Sequence, residues 1–86
     1  MREFTYTVVD PVGMHARPAG LLAKKASQYK SKITVIKDTK RADTRRLMML
    51  MALGIKCGDK ITVLVEGADE EEAAENIEKY LKENKF

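Results

Sequence analysis

One cysteine and one histidine are the scarcest chemistry in this 86-residue chain, and their scarcity excludes much. A lone thiol, Cys57, cannot close a disulfide within the chain, so the fold must rest on its core, which suits a reducing cytoplasm. Cys57 lies in a Lys-Cys-Gly-Asp turn and reads as a bystander. One histidine and one cysteine do not build an ordinary zinc site, so no metal is expected. No apolar run approaches the ~20 residues of a membrane span. Arg2 and Glu3 lead straight into a strand pattern, so no signal peptide and no membrane insertion are expected. Aromatic residues are 6% of the chain. Only Phe4 and Tyr6 lie in a strand, on the same side, where they read as core residues. Without a platform on which bases could stack, a nucleic-acid partner is not expected.

What is present is the composition of a globular chain: 44% hydrophobic and 34% charged. Residues 1–86 make one small domain with one modest core. The net charge of +3 is mildly basic and fits an acidic partner surface or an anionic ligand.

Hydropathy patterning predicts the elements. Residues 3–9 alternate, with Phe4, Tyr6 and Val8 against Thr5 and Thr7, and form a strand that Asp10-Pro11 ends. A helix runs over 16–29, with Ala19, Leu22, Ala23, Ala26 and Tyr29 on one stripe. Strands over 32–37 and 40–43 form a hairpin turning at Asp38-Thr39. A short helix over 47–53 is stopped by Gly54. A strand over 60–66 places Ile61, Val63 and Val65 on one side. Asp69 caps a last helix, Glu70 to Glu72 sit at its positive end, and Ala73, Ala74, Ile77, Tyr80 and Leu81 form its core stripe. The order β-α-β-β-α-β-α predicts an α+β fold: a four-stranded, largely antiparallel sheet with helices on one face.

The segment Gly13-Met14-His15-Ala16-Arg17-Pro18-Ala19 places the only histidine where a turn becomes a helix. Free N–H groups and the helix dipole make such a start a seat for an anion. Pro18 is tolerated there because its missing N–H has no intrahelical partner. Arg17 adds a fork of donors suited to phosphate oxygens. A lone imidazole beside this seat is suited to carrying a phosphoryl group. The seat and Arg17 are also expected to disfavour the imidazolium and keep the base free.

The helix over 47–53 is apolar almost all round, and one helical face cannot hide it. Leu47, Leu50 and Leu53 are expected to face the core, leaving Met48, Met49 and part of Met51 near solvent. An exposed patch of flexible methionines marks a contact surface. Arg17, Lys24, Lys25, Arg45 and Arg46 are expected to rim it with positive charge and attract acidic partners.

The Gly-Met-His-Ala-Arg-Pro-Ala segment, the later Leu47-Met48 and Met51-Ala52-Leu53-Gly54 stretches, the element order and the length together resemble the HPr family, the histidine-containing phosphocarriers of the bacterial phosphoenolpyruvate:sugar phosphotransferase system. The resemblance covers nearly the whole chain. It implies an open-faced β-sandwich with three helices on one side of a four-stranded sheet. It implies that His15 takes a phosphoryl group on Nδ1 from phosphorylated enzyme I and hands it to IIA domains, acting as a stoichiometric carrier and not as a free-standing catalyst. Arg17 matches the arginine that approaches the phosphoryl group, and Ala16 lies with it on the phosphate side. Partners would dock between the first and second helices, on a surface including Ala16, Gly20, Leu47, Met48 and Met51, to which the charge and apolar pattern read above adds Lys24, Arg45, Arg46 and Met49. No cofactor is implied beyond the transient phosphoryl group, and the chain is expected to be a cytoplasmic monomer.

Three positions depart from the family pattern. Arg46 stands where many relatives carry a serine phosphorylated by a regulatory kinase, so that control is expected to be absent. Met49 replaces a small residue and enlarges the apolar patch. Val12 replaces a polar residue beside the site and puts one local hydrogen bond in doubt. These changes leave room for an alternative reading: an HPr-like regulatory interaction module using the same surface.

Overall fold

The computed structural model describes residues 1–86. Its elements are β1 (Arg2–Thr7), α1 (Ala16–Ala26), β2 (Lys32–Lys37), β3 (Lys40–Asp43), α2 (Leu47–Ala52), β4 (Lys60–Glu66) and α3 (Glu70–Glu83). The strands form one sheet in the order β1-β4-β2-β3, and every neighbouring pair is antiparallel. The period-two alternation dictates which side of the sheet is covered. Ile33 and Val35 of β2 lie opposite Val65 and Val63 of β4, and all four are buried. Ala19, Leu22 and Ala26 of α1, Leu50 of α2, and Ala73, Ala74, Ile77 and Leu81 of α3 join them in one core. The three helices cover one face and leave the other open. No helix is long and apolar enough to cross a membrane.

The expected fold class is the one found, but several boundaries move for local reasons. The first strand ends at Thr7 and not at residue 9. From there the Val8 N–H donates to the Asp59 carbonyl, and those of Val9 and Asp10 both donate to the Phe86 main-chain oxygen. Helix α1 stops at Ala26, three residues short of Tyr29. The Ser27 hydroxyl donates to the Lys24 carbonyl at 2.7 Å, and the N–H groups of Gln28 and Tyr29 reach back only three residues, to Lys25 and Ala26. That tightening ends the α-helical ladder. Tyr29 still packs against the core from the turn.

Leu47 is 37% exposed and does not line up with Leu50 and Leu53, which are buried. Helical side chains lean toward the N-terminus, so that of the first residue reaches past the end of α2 instead of onto the sheet.

Asp69 sits at the N-cap position of α3 but makes no side-chain bond to that helix. Its carboxylate accepts the N–H of Lys30, the N–H of Ser31 and the Ser31 hydroxyl, at 2.9, 2.9 and 2.6 Å. Asp69 therefore fastens the entry of β2 to the start of α3. The Ser31 hydroxyl, then the Lys30 N–H, hold its carboxyl below the usual range. The Lys56 N–H, then the Lys37 ammonium, do the same for Asp59. A carboxyl whose folded pKa is depressed contributes stability above its unfolded pKa, about 4, and loses it as the pH falls through the folded value. The melting temperature is therefore expected to be flat above about pH 5 and to drop below about pH 4. Asp69→Asn should lower it at neutral pH and make the acid drop shallower, as thermal unfolding followed by circular dichroism will show.

Candidate functional site

The loop between β1 and α1 is built by its own sequence. Asp10-Pro11-Val12-Gly13 forms a β-turn closed by the Gly13 N–H on the Asp10 carbonyl at 2.9 Å. Aspartate first, proline second and glycine last are the residues a type I turn prefers. The Val12 N–H donates to Asp10 Oδ1 at 2.9 Å, while its exposed, apolar side chain offers no hydrogen bond of its own beside the site. Gly13 takes φ +80°, and a Cβ there would lie 2.4 Å from the Ile55 carbonyl oxygen and 2.8 Å from the Lys56 Cα. Only glycine lets the loop lie this close against the segment after α2. The Met14 N–H donates to that same Ile55 carbonyl, and the Met14 side chain is buried. The loop is thus pinned on both sides of Gly13, just before His15.

His15 is the N-cap residue of α1, with φ −86° and ψ −171° and no side-chain bond to the helix. Its carbonyl accepts the Ala19 N–H, while its side chain is 36% exposed. Nε2 lies 3.7 Å from Asp10 Oδ2, too far for a hydrogen bond but close enough for attraction. Nδ1 is the ring nitrogen that faces no carboxylate. The N–H groups of Ala16 and Arg17 have no acceptor in the protein, as expected of a first helical turn. The Arg17 guanidinium makes no ion pair and stands over the Phe86 ring, 6.0 Å from its centroid. An accessible imidazole, two free amides and an uncommitted guanidinium are thereby gathered at one helix start, an arrangement able to hold an anionic group beside a nucleophilic nitrogen.

The surface between α1 and α2 is partly the one expected. Helices α1 and α2 pack side by side. Met48 is 76% and Met49 48% exposed, while Met51 packs against the core. Ala16 is exposed, and Gly20 has open space where a side chain would stand. Lys24 is exposed near the C-terminal end of α1. The arginines divide. Arg45 donates to the Tyr29 and Ser31 carbonyls at 2.9 and 3.0 Å, which ties its guanidinium to the turn after α1. Arg46 and Met49 share a depression of about 380 Å³ with Lys32, Thr34, Arg41, Ala42 and Asp43, toward β2 and β3. The basic rim is therefore thinner than the sequence suggests. Nothing in the sequence marks Asp10 or Phe86 as a neighbour of the site. Asp10 reads there as a strand terminator, and nothing local announces that residue 86 reaches back to the loop at residues 9 and 10.

Residues 2–83 match the family model described as the phosphotransferase-system HPr component phosphorylation site. The phosphocarrier protein HPr of Mycoplasma genitalium is 42% identical over 86 residues, covering 99% of this chain and 98% of that protein. A histidine-containing phosphocarrier protein from a study of Mycoplasma superimposes with a TM-score of 0.92 at 37% identity, covering 96% of this chain and 94% of the other. HPr of Thermoanaerobacter tengcongensis gives 0.91 at 40% identity, covering 100% and 96%. Crh, a catabolite repression protein of Bacillus subtilis described as a domain-swapped dimer, gives 0.77 at 31% identity, covering 100% and 99%. With this fold, this histidine at this helix start, and matches along nearly its whole length, the chain belongs to the HPr family of phosphocarriers of the phosphotransferase system.

Proposed function

We propose that this chain relays a phosphoryl group in the cytoplasm, accepting it on His15 from phosphorylated enzyme I and donating it to IIA domains. The observation that carries the reading is the placement of His15: a half-exposed ring at the start of α1, beside the free amides of Ala16 and Arg17. Attraction between Nε2–H and the Asp10 carboxylate favours the tautomer whose lone pair is on Nδ1. That lone pair forms the new N–P bond as the bond from phosphorus to the donor breaks, and the electron pair leaves with the donor. The negative charge of the arriving group meets the first-turn amides and the Arg17 guanidinium. The hold must be modest, since a carrier has to pass the group on, and much of the rate comes from in-line alignment of donor and acceptor by the partner enzymes.

Incubation with enzyme I and phosphoenolpyruvate tests the reading: the wild-type chain should acquire an acid-labile phosphoryl group. Arg17→Ala should slow transfer by about tenfold to a hundredfold. Its melting temperature should stay within a few degrees of wild type, because the guanidinium is exposed and has no ionic partner. An equal loss of stability and transfer would assign Arg17 to the fold instead.

Arg46 at the head of α2 offers no hydroxyl to a kinase. The chain should remain unmodified there with ATP and a serine kinase that acts on HPr proteins. Stable hydroxyl phosphorylation at this helix start would contradict that.

The likeness to Crh and the exposed Met48–Met49 patch favour a second reading, a regulatory module whose partner binds according to the state of His15. Pull-downs with and without phosphorylation separate the two, since a pure carrier makes only transient contacts. We take the acting form to be the monomer, and sedimentation will show whether it pairs as Crh does.

A further inference from the structure

Phe86 is 1% exposed, and three main-chain hydrogen bonds fix it. Its N–H donates to the Leu81 carbonyl at 3.1 Å, and its oxygen accepts the N–H groups of Val9 and Asp10 at 3.0 Å each. Its ring stands edge-on to Tyr80, with centroids 5.9 Å apart and planes at 75°. The Arg17 Cζ lies over that ring at 6.0 Å. One residue therefore touches both charged neighbours of His15, Asp10 through the main chain and Arg17 through the ring.

We propose that Phe86 is a positioning residue for phosphoryl transfer, its ring a platform that keeps the Arg17 guanidinium beside the site with its donors unoccupied. The inference rests on the phosphocarrier reading and deepens it. A guanidinium that must meet a transient phosphoryl group needs a resting place. A carboxylate would take its N–H donors in a bidentate pair, and that pair would have to break before phosphoryl oxygens could be bound. An aromatic ring attracts the cation without accepting those hydrogen bonds, so the N–H groups stay available. A separation of 6.0 Å is at the outer edge of that attraction, so the hold is light and easily released. The three hydrogen bonds and the Tyr80 contact keep the platform itself from moving.

The test is a double-mutant cycle on the rate of transfer from enzyme I charged with phosphoenolpyruvate. Phe86→Leu, which keeps an apolar side chain but has no π face, should lower kcat/KM about threefold to tenfold. Phe86→Tyr should restore it to within about twofold of wild type. In an Arg17→Ala background, Phe86→Leu should have no further effect. NMR gives a readout without mutation: the guanidinium protons of Arg17 should be shifted upfield by the ring current of Phe86. Equal slowing by Phe86→Leu in both backgrounds overturns the proposal while leaving the carrier function intact. If Phe86→Leu does not fold, absence of the ring-current shift in wild type overturns it equally. Failure of the wild-type chain to accept any phosphoryl group removes the carrier reading, and this inference with it.

Discussion

His15→Ala is expected to abolish acid-labile phosphorylation by enzyme I and phosphoenolpyruvate while leaving the fold intact. The chain contains no other imidazole, so no neighbouring group of the same chemistry can take over. The fold should survive because the ring makes no capping bond to α1, is itself partly exposed, and meets its one charged neighbour, Asp10, only at 3.7 Å. Exposed substitutions of this kind usually change stability by less than about 0.5 kcal/mol. The outcome is read by labelling with radioactive phosphoenolpyruvate, an acid wash, and a parallel thermal melt. A variant that still carries acid-labile label would show that His15 is not the acceptor. A variant that loses label only because it has unfolded would show that the ring is part of the core.

The second large effect is one of stability. Gly13→Ala combines a left-handed backbone angle with a Cβ driven to 2.4 Å from the Ile55 carbonyl oxygen. The conformational part costs about 1–2 kcal/mol and the steric part about 1–3 kcal/mol, because the obstruction is main chain and not the end of a flexible side chain. A total of about 2–5 kcal/mol corresponds to a fall of roughly 10–40 °C in melting temperature for a domain of this size. Gly54→Ala is the natural comparison. Gly54 also has a positive φ, +66°, but open space lies where its Cβ would be. It should show only the conformational part, about 1–2 kcal/mol. If the two variants melt together, the close approach of residues 13 and 55 is not what holds the loop. Where Gly13→Ala stays folded, its loop should be displaced and its transfer slowed, because the same contact sets the position of His15.

These two residues also show where the sequence was informative. Gly13 and His15 belong to one short segment whose meaning is local: a turn, a helix start and a nucleophile in consecutive positions. The strands were legible for the same reason, since alternation within each strand selects its buried side. Long-range contacts left no such signature. Asp69 has the composition of a helix cap, but its carboxylate goes to Lys30 and Ser31 because β2 enters beside it. Arg45 looks like one more surface cation, but the turn after α1 offers it two carbonyls. Leu47 has the spacing of a core residue, but its place at the first position of a six-residue helix leaves it at the rim. Phe86 is the plainest case: nothing in the residues around it says that its oxygen will meet the amides of Val9 and Asp10. In each of these cases tertiary geometry chose the partner, and the local pattern supplied only a residue able to accept it.

Transfer to this chain should fall on a single atom, and phosphorus–nitrogen NMR addresses it directly. In the chain labelled with 15N and phosphorylated by enzyme I, the account predicts one phosphorus resonance coupled to Nδ1 of His15, with Nε2 retaining its proton toward Asp10. Phosphorus bonded to Nε2, to a hydroxyl oxygen or to no atom of this chain would contradict it.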